Sequence, residues 1–115
     1  MKSEELKLRT KTFAHRCVKL CMTLPNSYLG KHLKGQLIRS STSVASNYRS
    51  ACIAQSKASF ISKLSIALEE ADESFFWLEF IIDEKLLKIK LVEPLLNEAR
   101  ELTAIFISSR KTARK

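Results

Sequence analysis

Residues 38–51 read IRSSTSVASNYRSA, and the fold turns on whether this stretch is a loop or a helix. Five of the seven residues from Ser40 to Ser46 carry hydroxyls, interrupted only by Val44 and Ala45. Ser and Thr are mediocre helix formers, because their hydroxyls compete for nearby backbone groups. No Gly or Pro stands here to end a helix, however. Leu33, Leu37, Ser40/Ser41, Val44, Tyr48 and Ala51/Cys52 recur at steps of three and four, which is helical spacing. The hydroxyl-rich run therefore lies inside a helix.

Three further helices follow from the same reasoning. Leu6, Phe13, Cys17, Leu20 and Leu24 form an amphipathic stripe, widened by Ala14, Val18 and Cys21 and stopped at Pro25-Asn26-Ser27. Ser27 is placed to cap the second helix, and Ser56 the third. The third carries Phe60, Leu64, Ala67/Leu68, Ala71, Phe75, Leu78 and Ile82, and runs to about Lys85, roughly 45 Å at 1.5 Å per residue. Pro94 suits the first turn of a fourth helix, continued by Leu95, Ala99, Leu102, Phe106 and Ser109. The basic end, residues 109–115, is expected to fray. Residues 1–115 thus read as a single all-α domain, an antiparallel up-down-up-down four-helix bundle with crossing angles near +20°.

Composition narrows the function. The 115 residues are 45% hydrophobic with two Gly and two Pro, which suits one globular helical core. Twenty Lys and Arg against twelve Asp and Glu give a formal charge of +8, which favours polyanionic partners such as RNA or DNA. Cys17, Cys21 and Cys52 are an odd number without framework spacing, as expected of a cytoplasmic chain using cysteine as a small apolar residue. The N-terminus MKSEELKLRTKTF has no apolar signal core, and the longest apolar patch, cut by Glu79, cannot span a bilayer, so no membrane role is expected.

The serines admit chemical readings as well as packing ones. A phosphate-gripping loop needs glycines, and none is present. A nucleophilic serine needs a base and a strained elbow; His15 and His32 stand in no recognisable relation to the serines, and no G-x-S-x-G occurs. Di-iron bundle sites need Glu-x-x-His pairs, which are missing. Cys17 and Cys21 lack further metal ligands. No catalytic residue, metal or cofactor is therefore assigned, and an enzyme is not expected. Two readings of the serines remain: a solvated polar face, or a slim helix that lets its neighbours approach closely. The second predicts that Ser40, Ser43 and Asn47 are largely buried.

QLIRSSTSVASNYRSA followed by SKASFISKLSIALEEADESFFWLE closely resembles the four-helix-bundle proteins encoded in intervening sequences of bacterial 23S rRNA genes, also called S23 ribosomal proteins. Gln36, Leu37, Arg39, Ser40, Ser43, Asn47 and Ala51 supply the first half of that signature. Lys57, Phe60, Lys63, Leu64, Ala67, Glu70, Glu73, Trp77 and Leu78 supply the second. The match covers nearly the whole chain. The family also includes accessory proteins of diversity-generating retroelements. The resemblance implies a four-helix protomer in a homopentameric barrel with a central pore. For the retroelement branch it implies binding to nucleic acid and to a reverse transcriptase; for the rRNA branch it implies no established biochemical activity.

Two sets of surface residues follow. Phe76, Trp77 and Phe80 lie in a segment apolar nearly all round its helix and need a second cover, either the fourth helix or another subunit. Basic residues cluster at Lys2, Lys7, Arg9, Lys11 and Arg16, at Lys31, Lys34, Arg39 and Arg49, and at Arg110, Lys111, Arg114 and Lys115. The last two clusters are the candidate contacts to nucleic-acid backbone. Glu70 and Glu73 are expected to pair with basic residues of the second helix, Arg39 or Arg49, or across a subunit boundary. The rival class is a protein–protein scaffold whose charge serves solubility.

Overall fold

A computed structural model describes residues 1–115 as four α-helices and no strand: α1 Ser3–Cys21, α2 Tyr28–Cys52, α3 Lys57–Asp83 and α4 Ile89–Ala113. The bundle measures 45 × 20 × 19 Å. Short connections make successive helices antiparallel neighbours. α1 packs on α2, α2 on α3 and α3 on α4, while the α4–α1 seam is the loosest; across the core, Tyr48 of α2 stacks on Phe106 of α4 with ring centroids 5.7 Å apart.

Local chemistry sets the helix ends. Ser27 and Ser56 accept from the backbone N–H of Gly30 and Ser59, each at 3.0 Å, satisfying donors that the first turn leaves free. α3 ends in a Schellman motif. Lys85 takes the left-handed conformation, with φ 55°, while Leu86 N–H donates to the Ile81 carbonyl at 3.1 Å and Lys85 N–H to that of Ile82 at 3.0 Å. α1 has no side-chain cap, but Glu4 and Glu5 in its first turn complement the helix dipole.

The core follows most of the expected stripes, but Ile81 and Val92 join it while Phe60, Phe75 and Ile82 are only partly buried. Phe13, Cys17, Leu33, Leu37, Val44, Leu64, Leu78, Ile81, Val92, Leu102 and Phe106 are fully buried. The loose α1–α4 seam is tied at its edge by Arg9, whose guanidinium donates to both oxygens of Glu98 at 2.6 and 2.7 Å and lies 3.4 Å from Glu101. Bidentate charge-assisted bonds of this kind fix geometry as well as adding energy.

Two expectations need correction. Pro94 does not open α4: the helix begins at Ile89, five residues earlier, because Val92 is drawn fully into the core, and Pro94 then sits in the second turn. At its other end α4 runs to Ala113, and Arg110 Nη1 donates to Ser65 on α3 at 3.2 Å. The buried serine pair is Ser40 and Ser41, whereas Ser43 and Asn47 are only half-buried. Ser43 lies beyond the edge of the stripe centred on Val44, and Asn47 Nδ2 satisfies it locally by donating to its carbonyl and its hydroxyl, both at 2.9 Å. On α3, Phe75 lies under Arg100 of α4 at 5.2 Å, whereas Trp77 meets His32 of α2.

Candidate functional site

Two surfaces stand apart from ordinary solvated faces. The first is the outer α2–α3 seam. Arg39 pairs there with Glu70 at 2.9 Å and with Glu73, as the sequence led us to expect. Glu73 also accepts from the Trp77 indole N–H at 3.0 Å. Trp77 in turn meets the edge of His32 on α2 at 5.8 Å and Phe76 at 4.9 Å, with Phe80 completing the cluster. Trp77 and Phe80 are half-buried, but Phe76 leaves 49% of its surface exposed. An ion-pair ladder therefore leads into an aromatic patch that the protomer itself only partly covers. Of the other signature residues, Gln36 and Lys63 are half-buried.

The second surface is a groove of about 700 Å³ between α1 and α2. Lys7, Lys11 and His15 from α1 and Arg49 from α2 line it, over Leu8, Ala14, Val18 and Ala45. Its α2 wall is the outer part of the hydroxyl-rich run: Thr42, Ala45 and Ser46 are too small to fill the space. Thr42 and Ser46 return their hydroxyls to the carbonyls of Ile38 at 2.7 Å and Ser43 at 3.3 Å. The slim stretch thus has two outcomes. Ser40 and Ser41 admit α3 and α1 closely, and Thr42, Ala45 and Ser46 leave an open channel. Glu4 is the only carboxylate lining the groove, 2.8 Å from Lys7, and that contact raises the Lys7 ammonium pKa above its ordinary value.

The candidate phosphate contacts divide. Arg49 lies on the groove. Arg39 is occupied by Glu70 and Glu73, and Arg110 leans on Ser65. Lys31 is exposed and Lys34 half-buried, at the far end of α2 from Arg49. Lys111, Arg114 and Lys115 are exposed. The up-down topology brings the start of α1 and the ends of α2 and α4 to one end of the bundle. That end gathers Lys2, Lys111, Arg114 and Lys115 beside the mouth of the groove. The ion pairs use only Lys7, Arg9 and Arg39 as cations, so these four stand without a carboxylate partner.

In the sequence Lys7 and Lys11 belong to a basic cluster that marks no site, and Leu8 stands outside the apolar stripe. Their i, i+4 spacing with His15 was visible. Their partner wall, more than thirty residues away on α2, was not.

No group of three His, Cys, Asp or Glu is placed to hold a metal ion. Cys17 and Cys21 are buried free thiols; burial pushes both pKa values up, that of Cys21 to about 11, which keeps them protonated and inert at neutral pH. No helix is long and apolar enough to cross a membrane.

Comparison with known proteins gives consistent relatives. A family model described as 23S rRNA-intervening sequence protein matches residues 4–108. A crystal structure from Bacteroides thetaiotaomicron VPI-5482, of a protein with unknown function from the S23 ribosomal protein family, is 38% identical over 96% of this chain and 99% of that one, with a TM-score of 0.88. No curated protein matches.

Proposed function

The chain belongs to the 23S rRNA-intervening sequence protein family, and we propose that it is a non-enzymatic, oligomeric helical bundle that binds nucleic-acid backbone through its basic surfaces. The observation that carries this reading is the cationic end of the bundle. There Lys2, Lys111, Arg114 and Lys115 stand free of carboxylate partners beside a groove rimmed by Lys7, Lys11 and Arg49. Unpaired surface cations attract phosphate with little rearrangement, and copies of the chain in one assembly would multiply the effect. Nothing here resembles a recognition helix presented by a helix-turn-helix, so contacts are to backbone and weakly sequence-selective. The site of action on this reading is the cytoplasm.

The experiment is retention on heparin and a mobility shift with RNA and with DNA across a salt series. Log affinity is expected to fall linearly with log salt, at about 0.9 per duplex phosphate neutralised. No binding in low salt would overturn the reading. It would favour the second one, a protein–protein scaffold or accessory subunit, for example to a reverse transcriptase. The half-exposed Phe76 beside Trp77 and Phe80 speaks for that alternative.

A further inference from the structure

The geometry points to the α1–α2 groove as a site for single-stranded nucleic acid, with phosphates along its basic rim and bases over its apolar floor; this rests on the nucleic-acid reading above and goes further by naming the site and the strand form. Lys7, Lys11 and His15 succeed one another at four-residue steps on one face of α1. At 1.5 Å per residue they form a row with a repeat of about 6 Å. Arg49 supplies a cation from the opposite wall. Two lysines one turn apart with a third cation facing them suit a polymer with evenly spaced anions better than a folded acidic surface. The lone carboxylate, Glu4, is exposed and already held by Lys7, so a phosphate needs only to replace it.

The floor argues for bases as well as phosphates. Leu8 leaves 67% of its surface exposed on this face, and Ala14, Val18 and Ala45 continue the apolar strip between the cations. Single-strand sites combine a basic track with aromatic surface on which unstacked bases stack; here aliphatic side chains hold that place. A duplex keeps its bases stacked inside and presents a convex cylinder, which a channel between two adjacent helices does not admit.

The test uses fluorescence anisotropy on the full chain with three probes: labelled 20-nucleotide oligo(U) and oligo(dT), and a labelled duplex of the same length. Inorganic polyphosphate and poly-glutamate serve as competitors. A variant carrying K7Q, K11Q and R49Q removes charge from exposed or half-exposed positions outside the core, and circular dichroism confirms its fold. It is expected to bind the single strands about tenfold more weakly or worse, and to lower the slope of log affinity against log salt by about 2, at 0.7 per single-strand phosphate for three cations. Ala45→Gln puts a longer, uncharged polar side chain over the floor while leaving every charge in place. It is expected to weaken single-strand binding and leave duplex binding unchanged. Single-strand affinity unchanged in both variants, with the unmodified protein still binding, overturns the groove assignment and leaves the general reading standing. Equal competition by polyphosphate or by poly-glutamate overturns the role of the bases or of nucleic acid at this site. No binding of any probe by the unmodified protein overturns both.

Discussion

Ser74 on α3 donates to the hydroxyl of Ser40 on α2 at 2.9 Å, at a point where both side chains are fully buried. The carbonyl of Glu70 also lies 2.9 Å from the Ser74 hydroxyl, so one proton has two acceptors. Ser40 can donate to the Leu37 carbonyl at 3.4 Å. Every buried side-chain polar atom thereby finds a partner. Two serines where two leucines would stand let the helices close up at the seam. The same hydroxyls are a liability if one partner is removed.

Ser40→Leu is expected to destabilise by about 1–3 kcal/mol through overpacking. Ser74→Ala is expected to cost about 0.5–1.5 kcal/mol, the net worth of a lost hydrogen bond. Urea denaturation of both single variants and of the S40A/S74A pair separates the contributions. The pair is expected to lose less than the sum of S40A and S74A, because no hydroxyl is then left half-satisfied. A Leu accepted at position 40 without loss would defeat the close-approach account.

The two glycines of α2 are expected to respond oppositely to alanine. Gly35 is exposed, and a Cβ added there meets nothing within 4 Å. Gly35→Ala is therefore expected to stabilise by about 0.5–1 kcal/mol, the helix-interior difference between these residues. A Cβ on Gly30 would run into the Pro25 carbonyl oxygen, which the turn after α1 holds against the first turn of α2. Gly30→Ala is expected to lower the midpoint of thermal unfolding, because the obstacle is backbone rather than a flexible side chain. Equal shifts in the two variants would show that the turn yields.

Much of this architecture was legible in the sequence because it is local. Ser27 and Ser56 announced their helices by position alone, and the three-and-four cadence from Leu33 to Ala51 survived the serines. The Arg39 pairing with Glu70 and Glu73 was legible too, since short loops make α2 and α3 neighbours. What escaped depends on distant juxtaposition. Arg9 meets Glu98 across 89 positions. Leu8 acquires meaning only when Ala45 stands opposite. Ser43 looked equivalent to Ser40, yet three residues turn it about 60° short of a full turn, which moves it from the seam to its rim.

Alkaline pH is expected to loosen the bundle. Burial raises the thiol pKa of Cys21 to about 11 from an ordinary value of 9.0, and raises that of Cys17 in the same direction. Burial first, and then hydrogen bonding with Cys52, raises the Tyr48 hydroxyl as well. A raised folded-state pKa means that the unfolded chain releases its proton first. The Cys21 contribution is therefore full below about pH 9 and is lost progressively between 9 and about 11. Urea midpoints measured from pH 7 to pH 11 are expected to be level and then fall, and Cys21→Ala to fall less steeply. A flat profile through pH 11 would contradict the burial of these groups.

Assembly is expected to bury the aromatic patch. Light scattering should give a mass several times the 13.1 kDa protomer, with five copies preferred. Phe76→Ser is the clean probe, because the protomer leaves this ring half exposed. It is expected to lower the mass while circular dichroism stays unchanged. Trp77→Glu is a harsher test, since it sets a second carboxylate beside Glu73 inside the protomer's own network. A monomer at micromolar concentration in the unmodified protein would overturn this expectation.

The last turn of α4 separates a structural cation from freely exposed ones. Arg110 leans on Ser65 and, near a helix C-terminus, interacts favourably with the dipole. Lys111, Arg114 and Lys115 are exposed and have no carboxylate partner. A variant carrying K111Q, R114Q and K115Q is therefore expected to keep its fold and its assembly, and to bind all sequences more weakly with a shallower salt slope. Adding R110Q is expected to lower stability by about 0.3–1 kcal/mol, the worth of a cation at a helix end. Its further effect on binding is expected to be smaller than that of the three exposed charges. Unchanged affinity in the triple variant would remove the end of α4 from the binding surface and leave Lys7, Lys11 and Arg49 as its centre. A loss confined to the R110Q addition would instead place the contact at the α3–α4 seam, where Ser65 would be the residue to change next.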